Sequence, residues 1–387
     1  MLIAKHKSAA VPDNTFYGYD HIQLIRIFRA LLFNQGHKMK KTLIALAVLG
    51  SVAGVAQAQS AVTIYGKVDL GITKLSGDTT NLGLNSTTQM QANHASRIGF
   101  KGTEDLGGGL SAIFQIENRF NADTGTVTPG NALFSGPAFV GLAGGFGAVK
   151  LGRNWSTIDS VSTAAIDPFE GDGIGGLNYL TRPRINNSVT YYTPEMSGFG
   201  AQAQYILGEK PVGIAPAQQN DGYAVGVNYN NGPIYLGAGY GVEENSNKAR
   251  IWAVSGSYAF GPAKIALGYD QKDSKIAGQA KAKNAVVAAT YEIGSGLIKA
   301  AYNQTKDGAD STTTGYGNTT NASVVTPTVI GSDSLRTFDK IQKLSIGYQH
   351  NLSKRTSLYA DVARTRYTDP GFKNSTTGVG IGVTHNF

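Results

Sequence analysis

The sequence predicts an all-β protein, a sixteen-stranded antiparallel transmembrane β-barrel. Three observations lead to this prediction: short segments in which apolar and polar residues alternate, connections that are alternately short and long, and an N-terminal segment typical of exported proteins. The final segment, Gly378–Phe387, shows the alternation most clearly, with His385 as its one departure among mostly apolar odd-numbered positions. Such alternation suits a strand with one face on lipid and the other on water.

The composition favours a barrel over membrane helices. Of the 387 residues, 41% are hydrophobic and 16% are charged, and cysteine is absent, so no disulfide framework is expected. No stretch after residue 58 approaches the roughly 18 consecutive apolar residues of a membrane helix. A membrane protein of this composition must hide its apolar residues in alternation, and barrel closure satisfies every backbone group without a helix.

Residues 39–58 are predicted to form a signal peptide. A cationic start at Met39 precedes the apolar run Thr42–Gly50, and Ala56-Gln57-Ala58 fits a small-x-small cleavage site. A membrane anchor is the alternative, but the apolar run is too short for one. The mature barrel is therefore expected to comprise residues 59–387.

Residues 1–38 are expected to be a non-native or upstream N-terminal extension, and they distort the charge of the whole chain. The formal net charge is +8, but residues 1–58 hold seven of the 34 basic and two of the 26 acidic residues. The remaining 27 bases and 24 acids give a net charge of +3. The overall basicity is therefore no argument for nucleic-acid binding.

Sixteen alternating segments can be marked after Gln59. The first, Val62–Ile72, places Val, Ile and Leu on one face and residues such as Lys67 on the other. In the third, Glu117 and Arg119 have the inward parity. Each segment is a weak signal alone, but the repeated period of two is typical of a barrel.

The connections between these segments alternate in length. The short ones, most with the Gly, Pro or Asn of tight hairpins, are Glu104–Gly109, Ala143–Gly147, Pro194–Gly198, Asn230–Pro233, Gly261-Pro262, Gly294–Gly296 and Asn351–Lys354. The longer polar stretches include Lys74–Asn93, Asn154–Pro183, Lys306–Phe338 and Thr368–Ser375. Seven short turns and eight loops connect sixteen strands. A soluble β-sandwich would also alternate, but it would not need Tyr and Phe clustered at strand ends.

Several longer motifs carry a family resemblance: Val62–Gly66, Ser96–Gly107, Gly147–Arg153, Arg184–Tyr192 and the final Phe387. With them the chain resembles, from about Ser60 onward, the general porins of Gram-negative outer membranes, particularly the betaproteobacterial and neisserial type. The resemblance implies a water-filled channel, usually a homotrimer, narrowed by an inward-folded third loop. It implies passive diffusion of small hydrophilic solutes and ions, with a mild preference for anions, and no catalysis.

Partners and cofactors are expected on the same basis. We expect contacts with outer-membrane lipid and lipopolysaccharide and with the barrel assembly machinery, for which Phe387 would serve as part of the assembly signal. No cofactor, metal or nucleic acid is expected.

The resemblance also implies a pore constriction, in which acids of the third loop face arginines of the wall. The loop acids are Asp167, Glu170 and Asp172, and the matching wall positions are Arg97, Arg153 and Arg184. Strand parity supports Arg97 and Arg184 independently, because both share a face with polar neighbours. Arg153 has the parity of the apolar Leu151, so it faces inward only if the strand bulges or has ended there.

Further charges are assigned to the lumen wall or to the solvated loop. The predicted wall residues are Lys101, Glu117, Arg119 and Lys150. Asp159 is interpreted as a solvated loop charge. Many porins of this type carry an arginine where this sequence has Gly136, which weakens the expected anion preference.

Other functional classes fit the sequence less well. Gly171–Gly176 matches GxGxxG but has no strand–turn–helix unit around it. His94, His350 and His385 lack the spacing of a metal site. The alternatives kept open are a plugged structural or adhesive barrel and an outer-membrane lipid hydrolase, which would need a Ser–His pair on the lipid face. His385 has that parity, but no motif-like serine is near it.

Overall fold

The computed structural model describes residues 61–77, 87–127, 133–162, 165–171, 173–209, 220–245, 247–307, 339–370 and 372–387. The chain divides into the units Met1–Ala58 and Gln59–Phe387, and all described residues belong to the second. The predictions for the N-terminal extension and the signal peptide lie outside the described residues.

The described residues form one helix of five residues and seventeen β-strands. The helix α1 is Thr157–Val161. The strands are β1 Ala61–Gly77, β2 Thr87–Gln91, β3 Ser96–Gly107, β4 Leu110–Phe120, β5 Ala138–Gly144, β6 Gly147–Trp155, β7 Arg184–Tyr192, β8 Phe199–Ile206, β9 Gly222–Asn231, β10 Ile234–Val242, β11 Arg250–Phe260, β12 Ala263–Asp273, β13 Ala282–Ile293, β14 Gly296–Lys306, β15 Lys340–Asn351, β16 Thr356–Asp369 and β17 Phe372–Asn386.

The strands close into a ring of sixteen positions, which confirms the predicted barrel. From β3 onward each strand pairs antiparallel with the next, and β17 pairs with β1 from Lys67↔Asn386 to Gly77↔Thr376. The short β2 pairs with the C-terminal part of β1, and β3 pairs with the N-terminal part of β1. The two therefore act as one barrel strand, interrupted at residues 92–95. Among the described residues, each of the sixteen ring positions therefore has a hydrogen-bonded neighbour on both sides, which is the condition for crossing lipid.

All seven predicted short turns lie between consecutive strands, but the predicted loop Thr368–Ser375 is wrong. Strands β16 and β17 continue to pair as far as Asp369↔Phe372, so most of this stretch belongs to the two strands. Here a polar sequence forms a hairpin. A strand that extends beyond the lipid needs no apolar face, so alternation does not reveal it.

The two faces of the barrel wall have the reverse polarity of a soluble protein. On β1, Val62 and Ile64 are 61% and 59% exposed, whereas Asp69 on the opposite face is 0% exposed. The same reversal recurs around the ring. An apolar outer surface over a polar interior is the arrangement that a lipid bilayer requires.

Within the described residues, no helix is long and apolar enough to cross a membrane.

Candidate functional site

The described residues of one loop, 156–183 between β6 and β7, lie against the inward face of the wall. The loop begins with α1, which packs on β9 and β10 at inward positions occupied by glycine. A Cβ added to Gly237 would lie 1.6 Å from the carbonyl oxygen of Val161, so a larger residue there would collide with the helix. Three further glycines line the same groove: Gly226, Gly239 and Gly241. The wall is thus shaped to receive the loop.

A ladder of amide and carboxylate side chains holds the returning half of the loop. On adjacent strands, Asn284 donates to Asp270 at 2.8 Å and Asn303 donates to Asn284 at 2.6 Å. The loop completes the ladder, because the Leu180 amide donates to Asp270 at 3.0 Å and the Asn178 amide donates to Asn303 at 3.2 Å. The three ladder side chains are fully buried, so each of these hydrogen bonds is shielded from water.

Two lysines of the same wall also hold the loop. The Lys299 ammonium lies 4.7 Å from the centroid of the Phe169 ring and 3.8 Å from Asp361 Oδ1. Lys343 donates to the carbonyl oxygen of Gly176. Phe169 itself is fully buried in an apolar cluster with wall alanines. These lysines therefore act as anchors of the loop.

The root of the loop is tied to the connection that follows β10. Arg182 donates to both carboxylate oxygens of Glu244 at 2.6 Å, and Lys272 lies 3.1 Å from Glu243. Burial acts to lower the pKa of Arg182, but the hydrogen bonds to Glu244 and the charges of both glutamates outweigh it and raise that pKa. A bidentate pair of this geometry fixes the position of both partners.

Asp167 holds the tip of the loop together from within. Its carboxylate accepts from the amides of Phe169 and Gly171 at 2.8 Å each, from the Leu177 amide at 3.4 Å, and from the Tyr179 hydroxyl. Burial raises the pKa of Asp167 against these hydrogen bonds, which act to lower it. The expectation that Asp167 faces the wall arginines therefore needs correction, because both of its oxygens are engaged by the loop itself.

Asp159 is likewise internal, and its interpretation as a solvated loop charge is wrong. It lies in α1 and is 4% exposed, and its carboxylate accepts from the Thr181 hydroxyl at 2.7 Å. Burial raises the pKa of Asp159 to about 6, although the Thr181 hydrogen bond and the Arg184 charge act to lower it. The sequence could not reveal this burial, since it depends on the wall that receives α1.

Glu170 is the loop acid that reaches the basic wall. Its Oε2 lies 2.8 Å from Lys67 Nζ, 3.7 Å from His94 Nδ1 and 3.9 Å from Arg97 Nη2. Removal from bulk water acts to raise the pKa of Glu170, but the charges of His94, Lys67 and Arg97 outweigh it and lower that pKa to about 2. The third predicted loop acid, Asp172, lies outside the described residues.

Two wall arginines flank one tryptophan. The Arg184 guanidinium lies 5.2 Å and that of Arg119 6.0 Å from the centroid of the Trp155 ring. Arg119 also donates to Glu117 at 3.1 Å, and the Tyr65 hydroxyl donates to the other oxygen of Glu117 at 3.1 Å. The aromatic face and the carboxylate hold these guanidinium groups in place.

The strand pairing beside Arg153 is irregular. The pairing of β6 with β7 shifts register between Gly152 and Asn154. Gly152 pairs with Ser188 but Asn154 pairs with Ile185, so the extra residue lies in β7, where Asn187 has a left-handed φ of +52°. Toward β5, Arg153 stays in regular register with Ala138 and keeps the parity of Leu151, which is 49% exposed. The bulge therefore belongs to the neighbouring strand, and the inward position of Arg153 stays a prediction.

The Arg153 side chain is hydrogen-bonded to the backbone around Gly136. The Arg153 Nε donates to the carbonyl oxygens of Ser135 and Gly136 at 3.1 Å each, and its Nη1 donates to Asn186. A Cβ on Gly136 would lie 2.6 Å from the Glu117 Cβ. A larger residue at position 136 would therefore require Glu117 to move.

The predicted wall lysines lie over aromatic rings. The Lys101 ammonium is 5.3 Å from the Tyr65 centroid, and that of Lys150 is 4.6 Å from the centroids of both Phe139 and Tyr192. Each ring attracts the ammonium group and limits where the long side chain can lie.

Sequence reasoning missed two members of the Glu170 cluster. Lys67 has the inward parity in β1, which was a usable signal, whereas His94 was considered only as a metal ligand. His94 lies in the interruption between β2 and β3. The adjacent Asn93 donates to Asp361 and accepts from the Ile174 amide at 3.3 Å, so this short segment also holds the loop tip.

The ends of β1 and β17 complete the ring at Phe387. The Gly66 amide donates to the Phe387 carbonyl at 3.0 Å, and the Phe387 amide donates to the Gly66 carbonyl at 3.1 Å. Nearby, the His385 ring shares a hydrogen bond of 2.9 Å with the Thr356 hydroxyl.

Comparison with known proteins agrees with this architecture. A family model described as Gram-negative porin matches residues 45–370. An outer membrane porin protein of Bordetella pertussis is 33% identical, and outer membrane porin protein 32 of Delftia acidovorans is 32% identical. Each of these alignments covers 90% of this chain and 100% of the relative.

A solved structure supports the same assignment. The anion-selective porin from Comamonas acidovorans superposes with a TM-score of 0.68 at 26% identity, covering 85% of this chain and 100% of that one. The closed sixteen-position barrel, the family match and the full-length relatives agree. The chain therefore belongs to the Gram-negative porins, which are channel proteins of the outer membrane rather than enzymes.

Proposed function

We propose that this porin passes small hydrophilic solutes and ions by passive diffusion with a mild preference for anions. The constriction that sets this preference comprises Arg97, Arg153 and Arg184 of the wall and Glu170 of the loop. Asp172, outside the described residues, remains a predicted member of the same ring.

The uneven distribution of charge between loop and wall carries this proposal. Six bases belong to β3–β7, namely Arg97, Lys101, Arg119, Lys150, Arg153 and Arg184, and we assign all six to the inward face. Opposite them, Asp159 and Asp167 are engaged within the loop. Asp159 is compensated by the Arg184 charge, whereas Asp167 is held by hydrogen bonds within the loop. The two acids therefore neutralise only part of the wall, and the remaining positive charge attracts anions.

Two considerations bound the size of the preference. Water and salt screen charges within about 8–10 Å at physiological ionic strength, so a wide lumen weakens the field of the wall. Glu117 and Glu170 each pair with wall bases, which reduces it further. The anion selectivity stated for the Comamonas porin supports the direction of the preference.

The test is reconstitution of the refolded protein in a planar lipid bilayer. We expect stepwise conductance and a reversal potential in a KCl gradient that indicates modest anion preference. Absence of conductance steps from correctly folded protein would instead favour a plugged structural or adhesive barrel. A cation-directed reversal potential would contradict the proposed preference while leaving the channel intact.

We further propose that the chain assembles as a homotrimer in contact with outer-membrane lipid and lipopolysaccharide. Cross-linking of purified outer membranes should give a ladder that ends at three copies. The apolar outer face supplies the surface for both contacts.

We also propose Phe387 as part of the signal read by the barrel assembly machinery. Phe387→Ala retains the backbone hydrogen bonds to Gly66 and removes only the ring. We expect it to lower the amount of barrel in the outer membrane more than it alters the conductance of each assembled channel. Normal outer-membrane levels of this variant would contradict the proposed role.

A further inference from the structure

We propose that Lys67, His94 and Arg97 form a binding site for oxyanions, and that Glu170 is a tethered carboxylate which a permeating carboxylate or phosphate group displaces. This inference rests on the proposed anion-preferring channel and names the chemical class that binds at its constriction. The wall supplies the three bases of the site, and the loop supplies Glu170, whose carboxylate lies among them.

The first argument is the convergence of three donors on one oxygen. Lys67 Nζ, His94 Nδ1 and Arg97 Nη2 all lie within 3.9 Å of the same Glu170 oxygen, Oε2. Among the described residues, Glu170 is the acid that forms ion pairs with these three bases. Three cationic or hydrogen-bonding groups around one oxygen form the arrangement in which proteins bind carboxylates and phosphates.

The second argument is independent and concerns the state of His94. Its side chain is 5% exposed, and its Nδ1 has no hydrogen-bond partner in the described part of the chain. That nitrogen lies 3.7 Å from Glu170 Oε2, beyond a hydrogen bond. A buried polar atom without a partner is costly. An oxyanion able to approach more closely than the tethered carboxylate would supply that partner.

The third argument is that Glu170 can leave without moving its loop. Its side chain is 56% exposed, whereas those of Lys67 and Arg97 are only 11% and 19% exposed. Its backbone φ of +56° lies in the left-handed region, which is disfavoured for a residue with a Cβ. Both neighbours are fixed, since Phe169 is fully buried and the Gly171 amide donates to Asp167. Rotation of one side chain is therefore enough to open the site.

The resident carboxylate is a permanent competitor. With a pKa near 2, Glu170 is ionised at every physiological pH. An incoming anion must therefore displace a charge that is already present, which weakens its binding and keeps its residence short. A conducting site must release its ion as well as bind it. Competition from Glu170 therefore favours release of the permeating anion over its retention at the site.

The experiment measures the block of chloride current through reconstituted channels by three probes. Propionate reproduces the glutamate side chain, inorganic phosphate is the second oxyanion, and propionamide is the neutral control. Glu170→Gln removes the competing charge at almost unchanged size. We expect its half-blocking concentration of propionate and phosphate to fall about tenfold, the size of one charge-assisted hydrogen bond. Propionamide should not block.

Two further variants separate the site from an indirect effect. Glu195→Gln makes the same chemical change in a short turn, where Glu195 is exposed, and should leave the block unchanged. Lys67→Gln combined with Glu170→Gln should abolish the gain. Lys67→Gln alone should weaken phosphate block, and it tests the site even if Glu170→Gln does not insert.

The outcomes distinguish this inference from the function on which it rests. Conducting, anion-preferring channels in which Glu170→Gln leaves the block unchanged would overturn the oxyanion site and keep the proposed function. A gain that persists in the double variant, or a block by propionamide, would also overturn it, because a widened or apolar pore would explain either result. Wild-type protein without conductance would reject the proposed function itself.

Discussion

The inner surface of this barrel has two sides that differ in almost every respect. Strands β8–β16 present glycines, alanines, amides and two anchoring lysines, and the loop covers them. Strands β3–β7 present six bases, several of them held by aromatic rings. The first side packs against the loop, and the second carries the bases to which the proposed function assigns contact with solutes. The packing side thus sets where the loop lies relative to these bases.

The difference also explains why the acids of the loop have different roles. Asp159 and Asp167 sit where the loop meets the packing side or itself, and both are used as hydrogen-bond acceptors. Glu170 lies at the tip of the loop and reaches Arg97 of the basic side. Position along the loop, rather than residue type, decides which acid faces the lumen.

We expect the largest effect from a variant that fills the groove in which α1 packs. Gly237→Val places a branched side chain where even a Cβ would collide with the Val161 carbonyl oxygen. Overpacking of this kind costs about 1–3 kcal/mol, and relief requires the helix to leave the wall. We expect either poor folding or channels with larger single-channel conductance. Gly145→Ala, with open space around the new methyl group, should behave as wild type.

A smaller change weakens the ladder that anchors the returning half of the loop. In Asn284→Ala, Asp270 loses the hydrogen bond that the Asn284 side chain donates. Asn303 loses the side-chain oxygen that accepts its own hydrogen bond. Loss of a buried hydrogen-bond partner costs about 1–3 kcal/mol. We expect a lower melting temperature and more frequent current fluctuations at unchanged ion preference. A reversal potential that shifted strongly would show that the packing side also sets selectivity.

A third test acts on the basic side alone. Arg97→Gln combined with Arg184→Gln should move the reversal potential in a KCl gradient toward cations, and more so at low salt, because screening then weakens. The double variant should still fold, with a lower melting temperature because Arg184 is buried against Trp155. Lys354→Gln, in an exposed short turn, is the matched control. If the double variant kept the wild-type reversal potential, these arginines would not line the narrowest section.

The smallest expected effect is the titration of Asp159. Its pKa of about 6 means that the loop gains one negative charge as pH rises from 5 to 7. Anion preference should therefore decrease slightly over this range, and the decrease should be smaller in Asp159→Asn. If anion preference changed equally with pH in wild type and Asp159→Asn, groups other than Asp159 would be responsible for the change.

The same pKa fixes the sign of a stability effect. The folded protein binds the Asp159 proton more tightly than the unfolded chain does. The contribution of Asp159 to the free energy of unfolding should therefore fall as pH rises from about 4, the ordinary pKa, to about 6. Thermal unfolding of wild type and Asp159→Asn across this range measures the difference.

The sequence by itself determined the parts of this protein that depend on local rules. Alternation with a period of two identified the strands, and Gly, Pro and Asn identified the seven short turns, which together required sixteen positions. The same parity placed Arg97 and Arg184 on the inward face. Where the local rule was silent, as in the polar hairpin of β16 and β17, the prediction was wrong.

Only the tertiary structure decided what the loop does with its charges. The loop has no periodic pattern, and its path depends on a groove of glycines and a ladder of amides that are far away in sequence. That path buried Asp159, turned Asp167 inward on the loop and carried Glu170 to Lys67, His94 and Arg97. These side chains come into contact with one another only after the barrel has closed. Non-local contacts, which parity does not encode, therefore determine the site.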